Sequence, residues 1–479
     1  MGNYILTITA FFQIFVFVIT CYYLSLGLIG LFRKDEKKNY TPKNKFALLI
    51  AAHDEEVVIG SLIESMLKLD YPKDMYDIFV IADNCTDDTA KIAKGYGVNV
   101  CERFSEDKRG KGYALEWMFS KLFDMKEQYD AVAIFDADNL VHKNFLKEIN
   151  SKMQDGYKVV QGYIDSKNPE DSWIAASYSI AFWTQNRMFQ LSRANVGLSN
   201  QIGGTGFAVE TNTLKKLGWG ATCLTEDLEF TCKLVLNGEK VGWAHDAIIY
   251  DEKPLKLKQS WHQRKRWMQG FTDVASRYFF KLIKKSIVDR KFYVFDCALY
   301  VLQPFVTLLV GIAAVLTLIQ AYVSANIFII NYLFSDVGFK IFVVAQFLIT
   351  PLILAIDKKT RKSFLVMMAL YSSSVFVIPY LMDNIDKWVI VDEISKWIMA
   401  EDMNKWITGM AVSMGYNFLF LILTGVLLGK KYLVLFFRFW LYGLYTLTWI
   451  PITIQGILNK NNKEWNHTKH VRKIEICDV

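Results

Sequence analysis

Only 8 of the 479 residues are proline and 7 are cysteine. The cysteines (21, 85, 101, 223, 232, 297 and 477) show no CxxC spacing, which excludes a disulfide-dense secreted scaffold and a zinc ribbon. Isolated reduced thiols fit a catalytic region that faces the cytoplasm. No internal repeat and no low-complexity linker is present. Charge is missing in a pattern of its own. Residues 1–32 carry no Asp, Glu, Lys or Arg, and no basic leader or small-residue cleavage site marks them as a signal peptide. At a rise of about 1.5 Å per residue such a stretch is long enough to span a bilayer. Uncharged stretches return at 297–321, 341–356, 363–382 and 406–429, and a fifth at 439–458 follows Arg438 and contains Pro451.

The apolar excess is real but local. Hydrophobic residues make up 52% of the chain and the mean hydropathy is +0.18, above the roughly 45–50% apolar content of soluble domains. Between the first apolar block and residue 290 the composition is ordinary and charge-rich. A wholly soluble protein and a pure multi-span transporter are both excluded by that contrast. The net charge of +7 comes largely from clusters beside the apolar blocks: Arg33, Lys34, Lys37, Lys38; Lys358, Lys359, Arg361, Lys362; Lys430, Lys431. Such clusters follow the positive-inside pattern and attraction to anionic lipid, so the bilayer is the expected partner and nucleic acid is not. They set the N-terminus outside and residues 33 onward inside.

From about 45 to 255 short apolar runs alternate with amphipathic ones. The segments 46–52, 78–82, 98–101, 131–135 and 159–163 read as strands; 57–69, 88–94, 112–122 and 143–153 read as helices. That alternation predicts a mostly parallel sheet with helices on both faces, whose ligands bind beyond the carboxyl ends of the strands. Carboxylates stand there. Asp83 closes one run, and Asp136 and Asp138 close another, spaced so that both can converge on one ion or ligand. Hard oxygen donors of this kind suit Mg²⁺ or Mn²⁺ together with phosphate oxygens. Gly203-Gly-Thr-Gly206 is a turn that lets a ligand approach backbone. Thr225-Glu226-Asp227 opens a predicted helix, where Thr225 also reads as an ordinary N-cap. Gln263, Arg266 and Trp267 fall on one helical face, a guanidinium suited to a diphosphate beside an indole suited to a sugar ring. Farther on, Phe271, Val274, Tyr278, Phe279, Leu282 and Ile283 share a face with Arg277, Lys281, Lys284 and Lys285 off it. This is the pattern of a helix lying in the headgroup plane, or of a basic surface helix.

In order and spacing these motifs resemble the processive family 2 glycosyltransferases: cellulose and other β-glucan synthases, hyaluronan and chitin synthases, and poly-N-acetylglucosamine synthases. The resemblance rests on Asp83, Asp136-x-Asp138, Thr225-Glu-Asp227 and Gln263-x-x-Arg266-Trp267, followed by apolar spans. Ala51-Ala-His-Asp-Glu55-Glu56 is similar to the family's nucleotide-contacting segment, with alanine and aspartate where proline and asparagine are usual. Asp107-Lys-Arg-Gly-Lys111-Gly looks like the segment that brings a lysine to the donor.

The resemblance implies a GT-A-like α/β domain fused to a helical transmembrane channel region with interfacial helices. The expected divisions are an N-terminal span at 1–32, the cytosolic catalytic domain at 33–255, interfacial helices at 256–292, channel helices at 293–458 and a tail at 459–479. It implies an inverting transfer from a UDP-sugar to a growing polysaccharide. Asp227 is the expected base. Glu55, Asp83, Lys111, Asp136, Asp138 and Arg266 are expected around the donor, with the divalent ion on Asp138 and Asp136. Gly204, Thr205, Gln263 and Trp267 are expected around the acceptor, a helix with an acceptor-sensing residue being expected after the glycine turn. UDP-glucose and a 1,4-linked or mixed β-glucan are favoured, with UDP-N-acetylglucosamine as the alternative. A non-processive transferase for a lipid-linked acceptor, or a transporter or receptor with an inactive sugar-binding domain, are further alternatives, and export accessory proteins are compatible partners. No cyclic-dinucleotide module, and so no direct activation by one, is expected. The setting is a bacterial-type plasma membrane. Because the tail is basic, 432–457 is expected to lie in the interface or re-enter, with Arg438 snorkelling and Pro451 bending it. Trp465, Thr468 and Lys469 would then return to the donor pocket as a gating segment.

Overall fold

The structure, a computed structural model, describes residues 2–220, 223–322, 336–383, 401–461, 470 and 472–479. Two compact units divide the chain: 16–313 with 445–479, and 1–15 with 314–444.

An eight-stranded sheet organises the first of these. Its strands are β1 (Phe46–Ala52), β2 (Tyr76–Asp83), β3 (Asn99–Arg103), β4 (Ala131–Asp136), β5 (Leu140–Val141), β6 (Val159–Ser166), β7 (Phe207–Glu210) and β8 (Val241–Asp251), in the order β3-β2-β1-β4-β7-β6-β8-β5. All five expected strands are present. The sheet is mixed, however, and this corrects the expectation of a mostly parallel one. β3, β2, β1 and β4 run parallel, as do β6 and β8, but β7 is antiparallel to both β4 and β6, and β5 to β8. The chain enters β7 directly from Gly206 and runs back between the two halves. A strand therefore follows the glycine turn where an acceptor-sensing helix was expected.

Both faces of the sheet are covered, so the strands read as continuous apolar runs rather than alternating ones. Phe46, Leu48 and Ile50 pack on one side with Leu62 and Met66 of α2 (Ile59–Leu67) and Phe145 and Ile149 of α5 (Phe145–Gln154). Ala47 and Leu49 face Leu115, Met118 and Leu122 of α4 (Lys111–Asp124) on the other. Each large aliphatic side chain so buried contributes about 1.5–3 kcal/mol. α3 (Thr89–Gly95) completes the expected helices. The sequence reading gives no helix at α6 (Trp173–Gln185), which passes through a π-helical turn at Asn186–Leu191 into α7 (Ser192–Asn195). α6 starts where Ser172 accepts a 3.0 Å hydrogen bond from the Ala175 N–H.

α8 (Thr211–Leu217), α9 (Glu226–Leu236), α10 (Leu257–Asp289) and α11 (Phe292–Val301) follow. The apolar stripe expected to lie in headgroups is a core seam instead: Val274 and Leu282 are fully buried with Leu228 and Val235 of α9 and Val294 and Val301 of α11. Toward its C-terminal end α10 leaves Phe280, Ile287 and Val288 exposed alongside Lys281 and Lys284. The first apolar block is α1 (Gly2–Ile29). Its second half is tied in by a buried ion pair: Arg193 Nε lies 2.8 Å and Nη2 3.0 Å from the Asp296 carboxylate, which also accepts a 2.6 Å bond from Tyr22 Oη.

Among the described residues four helices are long and apolar enough to cross a membrane: Thr9–Ile29, Lys362–Leu381, Gly409–Leu428 and Lys430–Leu458. The count is five if α11 and the start of α12 (Gln303–Tyr322), bent by 67° at residue 302, form one broken span. The 297–321 stretch is thus two helices, and 341–356 belongs to a shorter apolar helix, Lys340–Ile356. The segment expected not to cross, 432–457, lies within Lys430–Leu458, which passes that test of length and hydropathy. It breaks at Thr448, three residues before Pro451, which has no N–H for a helical bond. In the unit of 314–444, Tyr371 sits among Phe347, Phe420, Phe436 and Trp440 and donates a 3.0 Å hydrogen bond to Asn417 Oδ1.

Removing one partner of a buried ion pair leaves the other charge uncompensated, typically at a cost of about 3–5 kcal/mol. Asp296→Ala is expected to destabilise by that order, read as a fall in the melting temperature of detergent-solubilised protein. A conservative change at exposed Lys284 should leave it unmoved.

Candidate active site

Two residues after β1 and one after β2 the chain turns through left-handed backbone, at Asp54 (φ 53°) and Asn84 (φ 52°), residue types that tolerate it. These turns aim the loops of adjacent strands at one cavity of about 720 Å³. Eleven residues singled out in the sequence line it: Glu55, Asp83, Lys111, Asp136, Asp138, Gly204, Thr205, Asp227, Gln263, Arg266 and Trp267. Trp465, Thr468 and Lys469 lie outside the described residues.

At the sheet edge the acids are held by named partners. Asp83 is buried and ion-paired to Arg103, and Asn84 Nδ2 donates to it at 3.1 Å. Lys111 Nζ lies 2.5 Å from Asp136 Oδ1 and 2.6 Å from the Gly204 carbonyl. Burial alone would lower the Lys111 pKa, but Asp136 and Glu226 raise it, so the ammonium stays charged. Thr205 is built into the aspartate loop: its hydroxyl donates to Asn139 Oδ1 at 2.5 Å and accepts from the Asp136 N–H at 3.0 Å. Gly204 and Thr205, expected around the acceptor, line the cavity and are also bonded to Lys111 and the aspartate loop. Asp138 accepts from the Glu252 N–H at 2.9 Å and from Asn139 at 3.2 Å. Each carboxylate oxygen keeps further lone-pair capacity, so Asp136 and Asp138 form a donor set that fits a hard divalent ion.

His470 of the tail enters the same place. Its Nδ1 lies 2.8 Å from Glu55 Oε1 and its Nε2 3.8 Å from Asp138 Oδ2. Burial would lower its pKa, yet Asp138 and Glu55 carry it up to about 9.

Asp227 begins α9. Its Oδ1 accepts the Leu228 N–H at 2.8 Å, and Oδ2 lies 3.4 Å from where a Cβ on Gly204 would stand. Burial pushes the Asp227 carboxyl up to about 7, and the charge of Glu226 adds to this. Glu226 is itself raised by burial. The helix start is clamped by α10: a Cβ at Gly270 would meet the Thr225 side chain at 2.4 Å, so only glycine lets the two helices come this close. Thr225 occupies the N-cap position of α9, as the sequence suggested, but makes no side-chain cap bond.

α10 presents Gln263 and Trp267 to the cavity. Tyr178 Oη donates to Gln263 Oε1 at 2.5 Å, and the Tyr178 and Phe182 rings stand 6.0 and 6.3 Å from that of Trp267. The sequence reading missed these two aromatics, spaced i, i+4 on α6. It also missed the acids that end β8. Asp251 lines the cavity beside Lys253, and burial lifts its carboxyl to about 6 against the pull of Lys253. Glu252 lies 3.3 Å from buried Lys167. The repeated rule that acids stand at strand ends would have found both had β8 been recognised. Beyond the aromatics the cavity wall continues with Gln303, Pro304 and Thr307 of α12 and Trp449 of the Trp449–Leu458 helix.

Residues 42–270 match the family model described as glycosyltransferase like family 2. A β-monoglucosyldiacylglycerol synthase of Synechocystis is 28% identical over 243 residues, 48% of this chain and 48% of that protein. A poly-β-1,6-N-acetyl-D-glucosamine synthase of Staphylococcus epidermidis is 24% identical over 319 residues, 66% of this chain and 73% of that protein. A solved mannosyltransferase of Pyrobaculum calidifontis, in complex with GDP-Man and Mn²⁺, aligns with a TM-score of 0.48 at 17% identity, covering 76% of this chain and 98% of that one. The chain spans about half to three fifths of the length of the curated relatives it matches at 27–29% identity. The 42–270 segment, which carries the mixed sheet, is thus similar to family 2 glycosyltransferases.

Gly204 has φ +83°, and a methyl there would face Asp227. Gly204→Ala is expected to cost about 1–2 kcal/mol for the left-handed conformation alone. A thermal melt that moves no further than that of an exposed Ala variant would show that this turn is not held as described.

Proposed function

We propose that this chain is a membrane-embedded, inverting glycosyltransferase that moves glucosyl units from UDP-glucose onto a growing β-glucan, 1,4-linked or mixed. The observation that carries the reading is one continuous cavity. It joins the strand-end acids, the Asp227 carboxylate and an aromatic cluster, and its wall reaches the apolar helices at 303–307 and 449–453. A hydroxylated chain cannot enter hydrocarbon without losing its hydrogen bonds, at several kcal/mol each, so a lined path is what an exporting synthase requires. In this reading the sheet faces the cytoplasm of a bacterial-type plasma membrane, the N-terminus lies outside, and 432–457 re-enters rather than crosses. Trp465, Thr468 and Lys469 act as a gating segment over the donor.

The acceptor hydroxyl oxygen attacks the anomeric carbon from the face opposite the phosphate. A new C–O bond forms as the bond to the diphosphate oxygen breaks with its electron pair, and the hydroxyl proton passes to Asp227. Arg266 and Lys111 supply fixed positive charge toward the departing diphosphate. Glu55 and Asp83 contact the uridine. Gln263 and Trp267, backed by Tyr178 and Phe182, hold the acceptor ring. Asp138 and Asp136 would hold Mg²⁺ or Mn²⁺, which when bound offsets diphosphate charge.

A second reading keeps the chemistry and changes the sugar to N-acetylglucosamine. The poly-β-1,6-N-acetylglucosamine synthases support it, since they match 64–66% of this chain against 48–51% for the diacylglycerol glucosyltransferases. Purified protein given Mg²⁺ or Mn²⁺ and each UDP-sugar, with the product digested by linkage-specific hydrolases, separates the two. A product made from UDP-N-acetylglucosamine alone overturns the first.

Asp227→Asn should keep UDP binding and lose turnover by about 10²–10⁴-fold, the usual worth of a positioned base; a variant retaining a tenth of the wild-type rate would refute the role. Because the base must be ionised and its pKa is about 7, kcat/KM should fall about tenfold per pH unit below 7 and level off above it. The residual rate of Asp227→Asn should lack that limb. Asp138→Ala should weaken donor binding in its dependence on the divalent ion. Unchanged metal titration in that variant would remove Asp138 from the donor set.

A further inference from the structure

The Asp251–Lys253 pair has no part in the chemistry above, yet its aspartate stands in the cavity wall. Lys253 is 1% exposed, and its ammonium lies 2.5 Å from Asp251 Oδ1, 3.4 Å from the Phe182 ring centroid and 5.8 Å from that of Tyr178. Among the described residues neither Lys253 Nζ nor Asp251 Oδ1 has a partner of proper hydrogen-bond geometry, although both atoms are buried. The next residue, Glu252, donates its N–H to Asp138. Asp251 is therefore bracketed by the loop of the paired aspartates on one side and by the aromatic cluster with Trp267 on the other. An ammonium kept from water by two ring faces is costly to bury. Its placement holds a charged carboxylate at the rim of an aromatic platform.

A sugar that stacks its apolar face on such a platform carries its hydroxyls at the ring edge, and a carboxylate is a strong acceptor for them. We propose that Asp251 is a specificity-determining residue that accepts hydrogen bonds from hydroxyls of the acceptor sugar ring, and so selects a saccharide acceptor over a bare lipid alcohol. This rests on the glycosyltransferase reading and narrows its acceptor. A diacylglycerol presents one hydroxyl and no ring edge, and would leave the carboxylate with nothing to bind.

The experiment uses the full-length protein in detergent with UDP-glucose and the divalent ion. It measures UDP release to water and transfer to three probes: cellotetraose, chitotetraose and dioleoylglycerol. Wild type is expected to extend a tetrasaccharide. Asp251→Asn should lower kcat/KM for that transfer by about 10- to 100-fold, the worth of hydrogen bonds to a charged group, mostly through KM, with hydrolysis of UDP-glucose unchanged. Because Asp251→Asn strands the Lys253 charge, the double variant Asp251→Asn/Lys253→Met is measured beside it. Recovery of transfer in the double variant would make Asp251 a structural counter-ion and overturn the proposal. Wild-type transfer in Asp251→Asn, a parallel loss of hydrolysis and transfer, or extension of dioleoylglycerol alone by the wild type would also overturn it, each leaving the glycosyltransferase reading intact. Absence of UDP release from every UDP-sugar by the wild type would overturn both.

Discussion

Carboxylates brought together at the ends of neighbouring strands repel one another, by about 4 kcal/mol for two charges 4 Å apart at an effective dielectric of 20. The cavity depends on how that repulsion is answered. Arg103 sits on Asp83, Lys111 on Asp136, Lys167 on Glu252 and Lys253 on Asp251. Glu55 and Asp138 share the tail imidazole of His470. The exception is the Glu226–Asp227 pair, for which the described residues supply no cation within ion-pair distance. There the field of Lys111 and Arg266 does not offset burial, and the Asp227 carboxyl rises to about 7. Burial and the neighbouring Glu226 charge thus bring Asp227 to where it can exchange a proton near neutrality.

The sheet makes this arrangement possible. In a wholly parallel sheet the segment after Gly206 would leave by a crossover. Here β7 turns back between β4 and β6, so the glycine turn is fixed from both sides and its carbonyl can hold Lys111. Thr205 then ties that turn to Asn139 and the Asp136 N–H. Asp136, Asn139 and Lys111 are thereby tied to one backbone feature that the mixed topology fixes in place.

How legible was this in the sequence? Asp83, Asp136 and Asp138 were readable because each ends a run of buried aliphatics too regular to be a loop. Gln263, Arg266 and Trp267 were readable because helical spacing gives them one face. The rest was hidden for physical reasons. β7 is four residues long. β8 carries His245 and Asp246 within it, and its pairing with β6 shifts register at Gly162/Tyr163. α6 is apolar all round because most of its surface is buried, so no amphipathic period marks Tyr178 and Phe182. The stripe from Phe271 to Ile283 had the correct period but the wrong solvent, since periodicity cannot tell a lipid face from a core seam. Partners far apart in sequence, such as His470 with Glu55 or Arg193 with Asp296, leave no local trace.

α10 draws these levels together. The face carrying Gln263 and Trp267 meets the cavity, while other positions on the same turns bind the 445–459 segment. Ser260 lies 3.2 Å from the Tyr445 hydroxyl, Trp261 Nε1 donates to Gln455 at 2.9 Å, Arg264 Nη1 to Thr448 Oγ1 at 2.8 Å, and Gln269 to the Asn459 carbonyl at 2.9 Å. Gly456 allows the helices to touch, since a Cβ there would stand 2.3 Å from the Met268 Cβ. Arg264 is fully buried and has no acidic partner among the described residues. Its guanidinium lies 4.1 Å from the Tyr445 ring centroid and 5.0 Å from that of Trp449, so its charge is stabilised by ring faces and a hydroxyl. An unpaired buried cation tolerates little displacement of those rings. The height of Gln263 and Trp267 over the strand ends is accordingly fixed by an apolar helix packed against α10 as much as by the sheet below. Gln263 and Trp267 are therefore held by the 445–459 segment packed on α10, while Asp83 and Asp136 are held by the sheet.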